Sequence, residues 1–346
     1  MNLTIIGAGV AGLSAARRLR ALRPEIDCTI YEKSRGYGGR AATRRRDGFV
    51  FDHGAQYFKT PSPATRDLIS RELPRDDLLA IGRDVWVFDR AGQLVPGDAE
   101  QNAEPKWTYR SGLSTLGKLL AEGSNVRRET RVAALRRVAT GGWQIIDEHG
   151  AHVGDADAVL LTAPAPQSAQ ILAASAFDAG LRDVLIAALE AGQYHRCLSL
   201  ALAYNHPLER PWYAAVNTDR QHPISWVALE AAKDAGRVPP GHSLLIAQMA
   251  AGYSAGHWET DPAALAAHVA DLLSSLLGED LHAPLWADRQ GWRYALVDQG
   301  VDRAALANDA GLYFAGDFTA GQARVHLAIE EGLRVAAAIA AFQPHG

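Results

Sequence analysis

The chain holds two cysteines, two methionines and five lysines among 346 residues, and each shortage excludes something. Cys28 and Cys197 stand alone, with no CxxC pair and no His/Cys ligand spacing. Neither a disulfide framework nor a zinc centre is therefore expected, and no metal ligands are assigned. No run of about 18 apolar residues exists, so no membrane-spanning helix is expected. The first strand pattern, Leu3-Thr4-Ile5-Ile6, starts so close to Met1 that no cleaved leader is expected and a cytoplasmic setting is the default. Positive charge is not in excess either: 35 Lys and Arg stand against 39 Asp and Glu, a net charge of −4. Nucleic acid and anionic membranes are accordingly not expected as partners. A chemistry that needs a lysine has only Lys33, Lys59, Lys106, Lys118 and Lys233 to draw on.

What is present reads as globular, with 48% hydrophobic and 21% charged residues, a balance that argues against disorder. The chain is longer than one hydrophobic core usually serves, so two domains are expected. Residues 3–7 read as a buried strand, Val10 to about Leu22 as a helix stopped by Pro24, and Cys28–Glu32 as a second strand. Together they form a right-handed β-α-β unit with parallel strands. Arg35 to Arg46 reads as a loop. Strand patterns follow at Val85–Phe88, Val132–Val138, Trp143–Asp147, Arg196–Tyr204, Ile224–Glu230 and Ser243–Ala250, with Glu148-His149-Gly150 as a hairpin turn. Leu113–Glu122, Phe177–Glu190 and Pro262–Leu277 read as helices, the last with Asp261 as N-cap and proline in its first turn. Leu312–Ala315 is again a buried strand, and Val325 to about Ala341 closes the chain as a helix. No repeat or low-complexity linker separates these segments, so the two domains are expected to interleave.

Gly7-Ala8-Gly9-Val10-Ala11-Gly12 sits between the first strand and the first helix. Gly7 permits the tight turn, Gly9 lets backbone approach a pyrophosphate, and Gly12 lets helix pack on strand. A diphosphate then meets unpaired amides at the positive end of the helix. Glu32 ends the second strand, placed to accept hydrogen bonds from both hydroxyls of an adenosine ribose and to repel a 2′-phosphate. The fingerprint alone does not separate NAD from FAD. Glu32-Lys33-Ser34-Arg35-Gly36-Tyr37-Gly38-Gly39-Arg40 continues it: Gly38 and Gly39 let the loop fold back over the diphosphate, and Arg40 adds a fixed positive charge. Arg44, Arg45 and Arg46 read as a solvated surface run.

With these motifs in place, the chain resembles the flavin-dependent amine oxidase superfamily. Within it, Asp52-His53-Gly54-Ala55-Gln56-Tyr57-Phe58 is most similar to renalase and its bacterial relatives. The resemblance implies FAD as cofactor, with Gly54, Ala55, Gln56 and Tyr57 lining the isoalloxazine ring. It implies the same cradle for Gly7, Gly9, Ala11, Gly12, Glu32, Lys33, Gly38, Gly39 and Arg40, and a backbone pairing of Val132 with adenine. Leu312-Tyr313-Phe314-Ala315-Gly316-Asp317 is similar to the family strand whose carboxylate, here Asp317 after Gly316, bonds the ribityl chain. Arg324 and Val325 then open a helix aimed at the flavin pyrimidine, where its dipole favours an anionic reduced flavin. His326 stands where the family has glutamate. The implied fold is α/β: a Rossmann-type FAD domain with a parallel sheet and a β-hairpin or meander insertion (1–60, 108–164 and 296–346), interleaved with an α+β substrate domain of mixed sheet and helices (61–107 and 165–295).

Many amine oxidases of this superfamily carry a lysine that holds water at the flavin. None of the five lysines here falls in Ser243–Ala250, where it is expected, and Lys233 lies in a polar stretch, Ala232-Lys233-Asp234-Ala235-Gly236, that reads as a surface loop. Renalase-like proteins lack that lysine too and oxidise dihydronicotinamide isomers. Such donors become pyridinium cations on hydride loss, so they need aromatic faces rather than a base. Ile224-Ser225-Trp226, with Gly236-Arg237, and Trp292-Arg293-Tyr294-Ala295 resemble family motifs, although Gln290-Gly291 replaces the usual histidine and arginine. Gln56, Tyr57, Trp226, Trp292, Tyr294 and His326 are the candidate catalytic residues. Trp226 and Trp292 lie in apolar strand patterns, where a tryptophan is more often core than substrate platform, and His53 fits a structural hydrogen bond better than a catalytic role. The expected activity is a renalase-type oxidase with a small-molecule substrate and O2 as acceptor, giving hydrogen peroxide. The alternatives are an amine oxidase or desaturase and, in another class, a flavin-free binding protein like the GDP dissociation inhibitors, against which Gly38, Gly39, Arg40, Gly316 and Asp317 speak.

Overall fold

Strand Asn2–Ile6 is buried at every residue but the first and pairs in parallel on both sides. The computed structural model describes residues 1–139 and 141–341, so positions 342–346 of the expected FAD domain lie outside it. The sheet around this strand is five-stranded and wholly parallel, in the order Leu312–Phe314, Ala158–Leu161, Asn2–Ile6, Asp27–Tyr31, Asn125–Arg127. Its side chains alternate with the pleat, as a sheet covered on both faces requires. Leu3, Ile5, Ala158 and Leu160 face a core shared with helices Val10–Leu22, Ser114–Ala121 and Val325–Ala340. Ile6, Val159 and Leu161 face a second core containing Leu135, Trp143 and Ile145. Those three belong to the antiparallel meander Val132–Arg137, Trp143–Asp147 and His152–Ala156, whose last two strands are joined at the turn the sequence marks. The fold class expected from the sequence is the one observed.

A second sheet has seven strands in the order Trp286–Gln299, Gln193–Tyr204, Ser243–Met249, Ile224–Leu229, Trp212–Asn217, Asp84–Phe88, Leu94–Pro96. It is antiparallel except where Trp212–Asn217 meets Asp84–Phe88. Helix Pro262–Leu277 covers one face through Leu265, Val269 and Leu273. It starts as the sequence predicts, with the Asp261 carboxylate accepting from the amides of Ala263 and Ala264, and stops at Gly278 with φ +66°. Phe49 and Phe51, from strand Phe49–Asp52, pack on the other face.

Trp286–Gln299 is an edge strand of 14 residues, and such an edge invites unwanted pairing. Here arginines cover it. Arg40 Nη1 donates to the carbonyls of Tyr294 and Ala295, both at 3.1 Å, Arg44 pairs with Asp288 and Gln290, and Arg46 lies 4.7 Å over the Trp286 ring. Arg45 donates to the Ser111 carbonyl. The expected solvated run therefore holds for Arg45 and Arg46, which stay exposed, and fails for Arg44, which is partly buried against Asp288 and Gln290. Part of the expected loop is strand Thr43–Arg46, which brings Arg44 and Arg46 alongside the edge strand.

Helices Val10–Leu22 and Val325–Ala340 approach closely at Gly332, where an added Cβ would lie 2.3 Å from the Ala11 carbonyl oxygen and 2.9 Å from Ser14 Cβ. Backbone cannot yield as a flexible side chain does. Gly332→Val should accordingly lower the unfolding free energy by about 2–3 kcal/mol, the upper range of overpacking costs. Urea denaturation checks this, and a change below 0.5 kcal/mol would show that the helices separate freely.

Candidate active site

The two glycine turns lie backbone to backbone. Gly7, at φ +110°, donates its amide to the Tyr31 carbonyl at 2.8 Å, and a Cβ on Gly12 would lie 2.3 Å from the Gly7 carbonyl oxygen. Gly38 donates to the Ala8 carbonyl at 2.8 Å, and a Cβ on Gly39 would come within 3.3 Å of Gly9 Cα. Gly9 itself faces open space, and helix Val10–Leu22, which buries Ala11, has no side-chain cap at its N-terminus. Its first amides are left for a ligand, which suits an anion. The buried Glu32 carboxylate accepts from the amides of Ala8 at 2.8 Å and Ser34 at 2.7 Å, leaving further lone pairs on both oxygens. Lys33 turns its Nζ to Gln167 at 3.2 Å. Val132 is buried at the start of its strand, paired with Asp147.

At the other end of the cradle, Asp317 opens the short helix Asp317–Ala320 directly after Gly316. It is 4% exposed, and its Oδ2 pairs with Arg40 Nη1 at 2.7 Å. Its Oδ1 is buried with no partner among the described residues. A carboxylate oxygen left so is costly, and a ligand hydroxyl would satisfy it. Helix Val325–Ala340 likewise has no side-chain cap at its N-terminus. Val325 is half-buried there, while Arg324 is exposed and reaches only the Ala323 carbonyl.

Between these ends lies the loop after Asp52. The Ala55 amide donates to the Arg40 carbonyl at 2.9 Å, and a Cβ on Gly54 would lie 2.0 Å from the same oxygen. The loop therefore rests on the Arg40 backbone, and Gly54 is the residue that allows it. Gln56 Nε2 donates to the carbonyls of Asp52 at 2.5 Å and Gly54 at 3.1 Å. Tyr57 stacks on Trp226 with ring centres 6.1 Å apart and planes at 29°, and Tyr213 meets both edge-on, at 6.3 and 5.9 Å. Trp226 Nε1 and the Tyr213 hydroxyl are buried without protein partners among the described residues. Tyr213 was missed in the sequence, although Trp212 to Val216 carries an apolar strand pattern.

The six candidate catalytic residues do not all meet. Tyr57 and Trp226 meet as described, while the Gln56 amide turns to Asp52, Gly54 and Lys233. Trp292 stacks instead on His53, with centres 5.4 Å apart and planes at 7°, and donates its Nε1 to the His53 carbonyl at 2.8 Å. Tyr294 lies edge-on to Tyr194 at 5.5 Å, beside Arg40. His326 is half-buried near Glu330, Arg324, Glu104 and Lys59, and burial lowers its pKa below the usual 6.5. A cavity of about 910 Å³ lined by Thr60, Pro61, Arg66, Glu104 and Trp107, among others, opens elsewhere than at Tyr57 and Trp226.

Lys233 overturns its sequence reading. It is not on a surface loop: its side chain is 0% exposed, like those of Asp52, Glu230 and Arg237. Lys233 Nζ lies 3.2 Å from Asp52 Oδ2, 2.8 Å from Glu230 Oε1 and 3.0 Å from Gln56 Oε1. Arg237 bridges the same two carboxylates and donates to Thr108 Oγ1 at 3.0 Å and the Tyr109 carbonyl at 2.6 Å. Burial would raise the pKa of Asp52, but Lys233 and Arg237 outweigh it and hold the carboxyl well below its usual range. The local polar composition hid this because the carboxylate that buries Lys233 is 181 residues away.

The chain matches the family described as flavin containing amine oxidoreductase over residues 97–340, and an NAD(P)-binding Rossmann-like domain over residues 5–71. It is 37% identical over 145 residues to coproporphyrinogen III oxidase of Staphylococcus aureus, covering 38% of this chain and 29% of that protein. The chain spans under a third of the curated relatives it matches, 12% and 29% of their lengths in two cases. Two solved structures share its fold over nearly their whole length. A candidate protoporphyrinogen oxidase from Exiguobacterium sp. 255-15 superposes with TM-score 0.79 at 19% identity, covering 99% of both chains. Cyclohexylamine oxidase from Brevibacterium oxydans IH-35A superposes with TM-score 0.75 at 15% identity, covering 98% of both.

The cradle fits FAD, the cofactor this family implies. Glu32 would hold the adenosine ribose, the amides after Gly9 the diphosphate, and the unpartnered Asp317 Oδ1 a ribityl hydroxyl. Asp317→Ala should weaken FAD binding by roughly 10- to 100-fold, the equivalent of about 1.5–3 kcal/mol for a charged hydrogen bond. Arg45→Ala should leave it unchanged. Flavin retained after dialysis measures both, and an arginine variant losing more FAD than the aspartate variant would reverse the assignment.

His53 supplies a pH test. Burial, and then Arg44, lower its pKa from 6.5 to about 4 against the smaller opposing pull of Asp52, and its Nδ1 has no partner among the described residues. The folded state thus refuses a proton that the unfolded chain takes up, so His53 makes stability fall as pH drops from 6.5 towards 4. The full effect is about 3 kcal/mol. His53→Phe should remove that part of the acid sensitivity in urea titrations at pH 7 and 4.5, and an unchanged pH dependence would contradict a buried neutral imidazole.

Proposed function

The chain belongs to the flavin containing amine oxidoreductase family and is an FAD-dependent oxidoreductase, and on that premise we propose that it is a renalase-type oxidase of dihydronicotinamide isomers. Overall, the donor loses a hydride and becomes a pyridinium cation. Dioxygen gains that hydride and one proton from solvent as hydrogen peroxide. Bound FAD supplies the two-electron chemistry between donor and dioxygen. The protein's part is to bind the donor, orient its ring and exclude water.

The observation that carries this reading is an aromatic cluster without a free base. Tyr57, Tyr213 and Trp226 present ring faces and edges to one another, and π faces stabilise a cation that develops on a planar ring. Lys233 has three N–H donors, and Asp52, Glu230 and Gln56 occupy them. It is therefore not available to hold a water or take a proton. Burial makes both nearby histidines weak bases: it lowers the pKa of His53 to about 4 and that of His326 below its usual value. An aromatising donor needs no base, so the site lacks only what this substrate does not require. A second reading, oxidation of a small amine, is favoured by the fold shared with cyclohexylamine oxidase and by the affinity of aromatic clusters for ammonium groups.

Anaerobic stopped-flow separates the two. A dihydronicotinamide carrying its hydride at the 2 or 6 position should bleach the flavin within seconds. Its limiting rate should vary less than threefold from about pH 6 to 9, because no residue at the cluster must lose a proton there. Benzylamine and cyclohexylamine should leave the flavin oxidised. Rapid bleaching by the amines, with a rate rising steeply between pH 7 and 9, would move the chain to the second reading.

A further inference from the structure

The geometry points to Lys233 as the positioning residue of the flavin-facing loop 54–57, acting through Gln56. This rests on the flavoprotein reading in one respect: that residues 54–57 line the flavin ring, as the family resemblance implies. Lysine is a donor only, so the Gln56 oxygen must face it, 3.0 Å away. That choice fixes the other end of the amide, whose Nε2 must then donate to the carbonyls of Asp52 and Gly54. The Gly54 carbonyl also accepts from Gln248 Nε2 at 2.6 Å, and the backbone anchored at these points carries Ala55 and runs directly into Tyr57. One ammonium thus sets an amide orientation, and the amide closes the loop that holds Tyr57 against Trp226.

The charges demand more explanation than stability gives. Asp52, Glu230, Lys233 and Arg237 bring two negative and two positive groups into a solvent-free cluster. Apolar side chains of equal volume would often be as stable there, whereas removal of one ion leaves its partner unpaired. What apolar groups cannot do is orient an amide. The cluster also borders the aromatic residues, since Asp52, Glu230 and Arg237 all act electrostatically on Tyr213. A balanced cluster presents no net charge to the ring-binding space.

Three variants test the assignment, read by melting temperature and by visible circular dichroism of the bound FAD, which reports the ring's surroundings without any substrate. Lys233→Met leaves two carboxylates against Arg237 and should lower the melting temperature by about 10 °C. Lys233→Met combined with Glu230→Gln restores neutrality and should recover most of that loss. Its flavin dichroism should nevertheless differ from the parent's at least twofold in amplitude, because Gln56 still lacks its donor. Gln56→Met alone should give the same dichroism, and adding it to the balanced pair should change nothing further. Parental dichroism in the balanced pair, or in Gln56→Met, would reduce Lys233 to a structural ion, as would effects that simply add. Failure of the functional reading looks different: the dichroism pattern would hold while no dihydronicotinamide isomer reduces the parent protein.

Discussion

Asp52 carries a charge where no solvent reaches it, and much of the site is arranged around that fact. Its Oδ1 accepts from Thr43 Oγ1 at 2.6 Å and the Leu113 amide at 2.8 Å, and its Oδ2 from Lys233 and Arg237. Four donors from three separate chain segments therefore meet on one carboxylate. Desolvating such a group costs several kcal/mol, which only good geometry from every donor can offset. The strand that starts at Thr43, the helix after Leu113 and the two 3-10 turns after Ile224–Leu229 are fixed relative to one another by this requirement. His53 to Tyr57 leaves directly from the same point, so the loop begins from an anchored residue.

Arg40 plays the complementary part at the cradle's edge. Its backbone carbonyl receives Ala55, while its guanidinium spans Asp317 and two carbonyls of the edge strand Trp286–Gln299. A planar group with several donors can bridge a carboxylate and backbone together, which a lysine ammonium at that place would do less rigidly. The scarcity of lysine in this chain fits that use: where several acceptors must be bridged along an edge, arginine stands.

The Rossmann half was legible because its signals are local. Glycine spacing, a strand before it, a helix opening on it and an acid after the next strand are all readable within short windows, and each was found where expected. Arg44 and Lys233 were misread for the opposite reason. Each has a polar neighbourhood that looks solvated, and each is claimed by partners over 170 residues away, Asp288 for Arg44 and Asp52 for Lys233. One signal was available: Glu230, Lys233 and Arg237 follow a fully apolar strand end, and a charge trio there needs a counterpart of the kind Asp52 offers. Tyr213 was lost because the strand Trp212–Asn217 was not read at all, and the aromatic cluster cannot be assembled without it.

The balance of charge behind that cluster also bears on turnover. An enzyme gains rate only from interactions stronger in the transition state than in the bound ground states on either side. A free carboxylate against the rings would attract a cationic product at full charge, more strongly than the partly charged transition state, and so would slow its release. Here both carboxylates are already engaged by cations. On the function proposed above, the half-buried rings of Tyr57 and Trp226 would be the stabilising surface, Tyr213 being fully buried, and the attraction of such faces for a cation is of the order of 1–2 kcal/mol. For a donor that becomes positive only as its hydride leaves, a site with weak, diffuse attraction and no net charge favours the reaction's forward course while letting the product go.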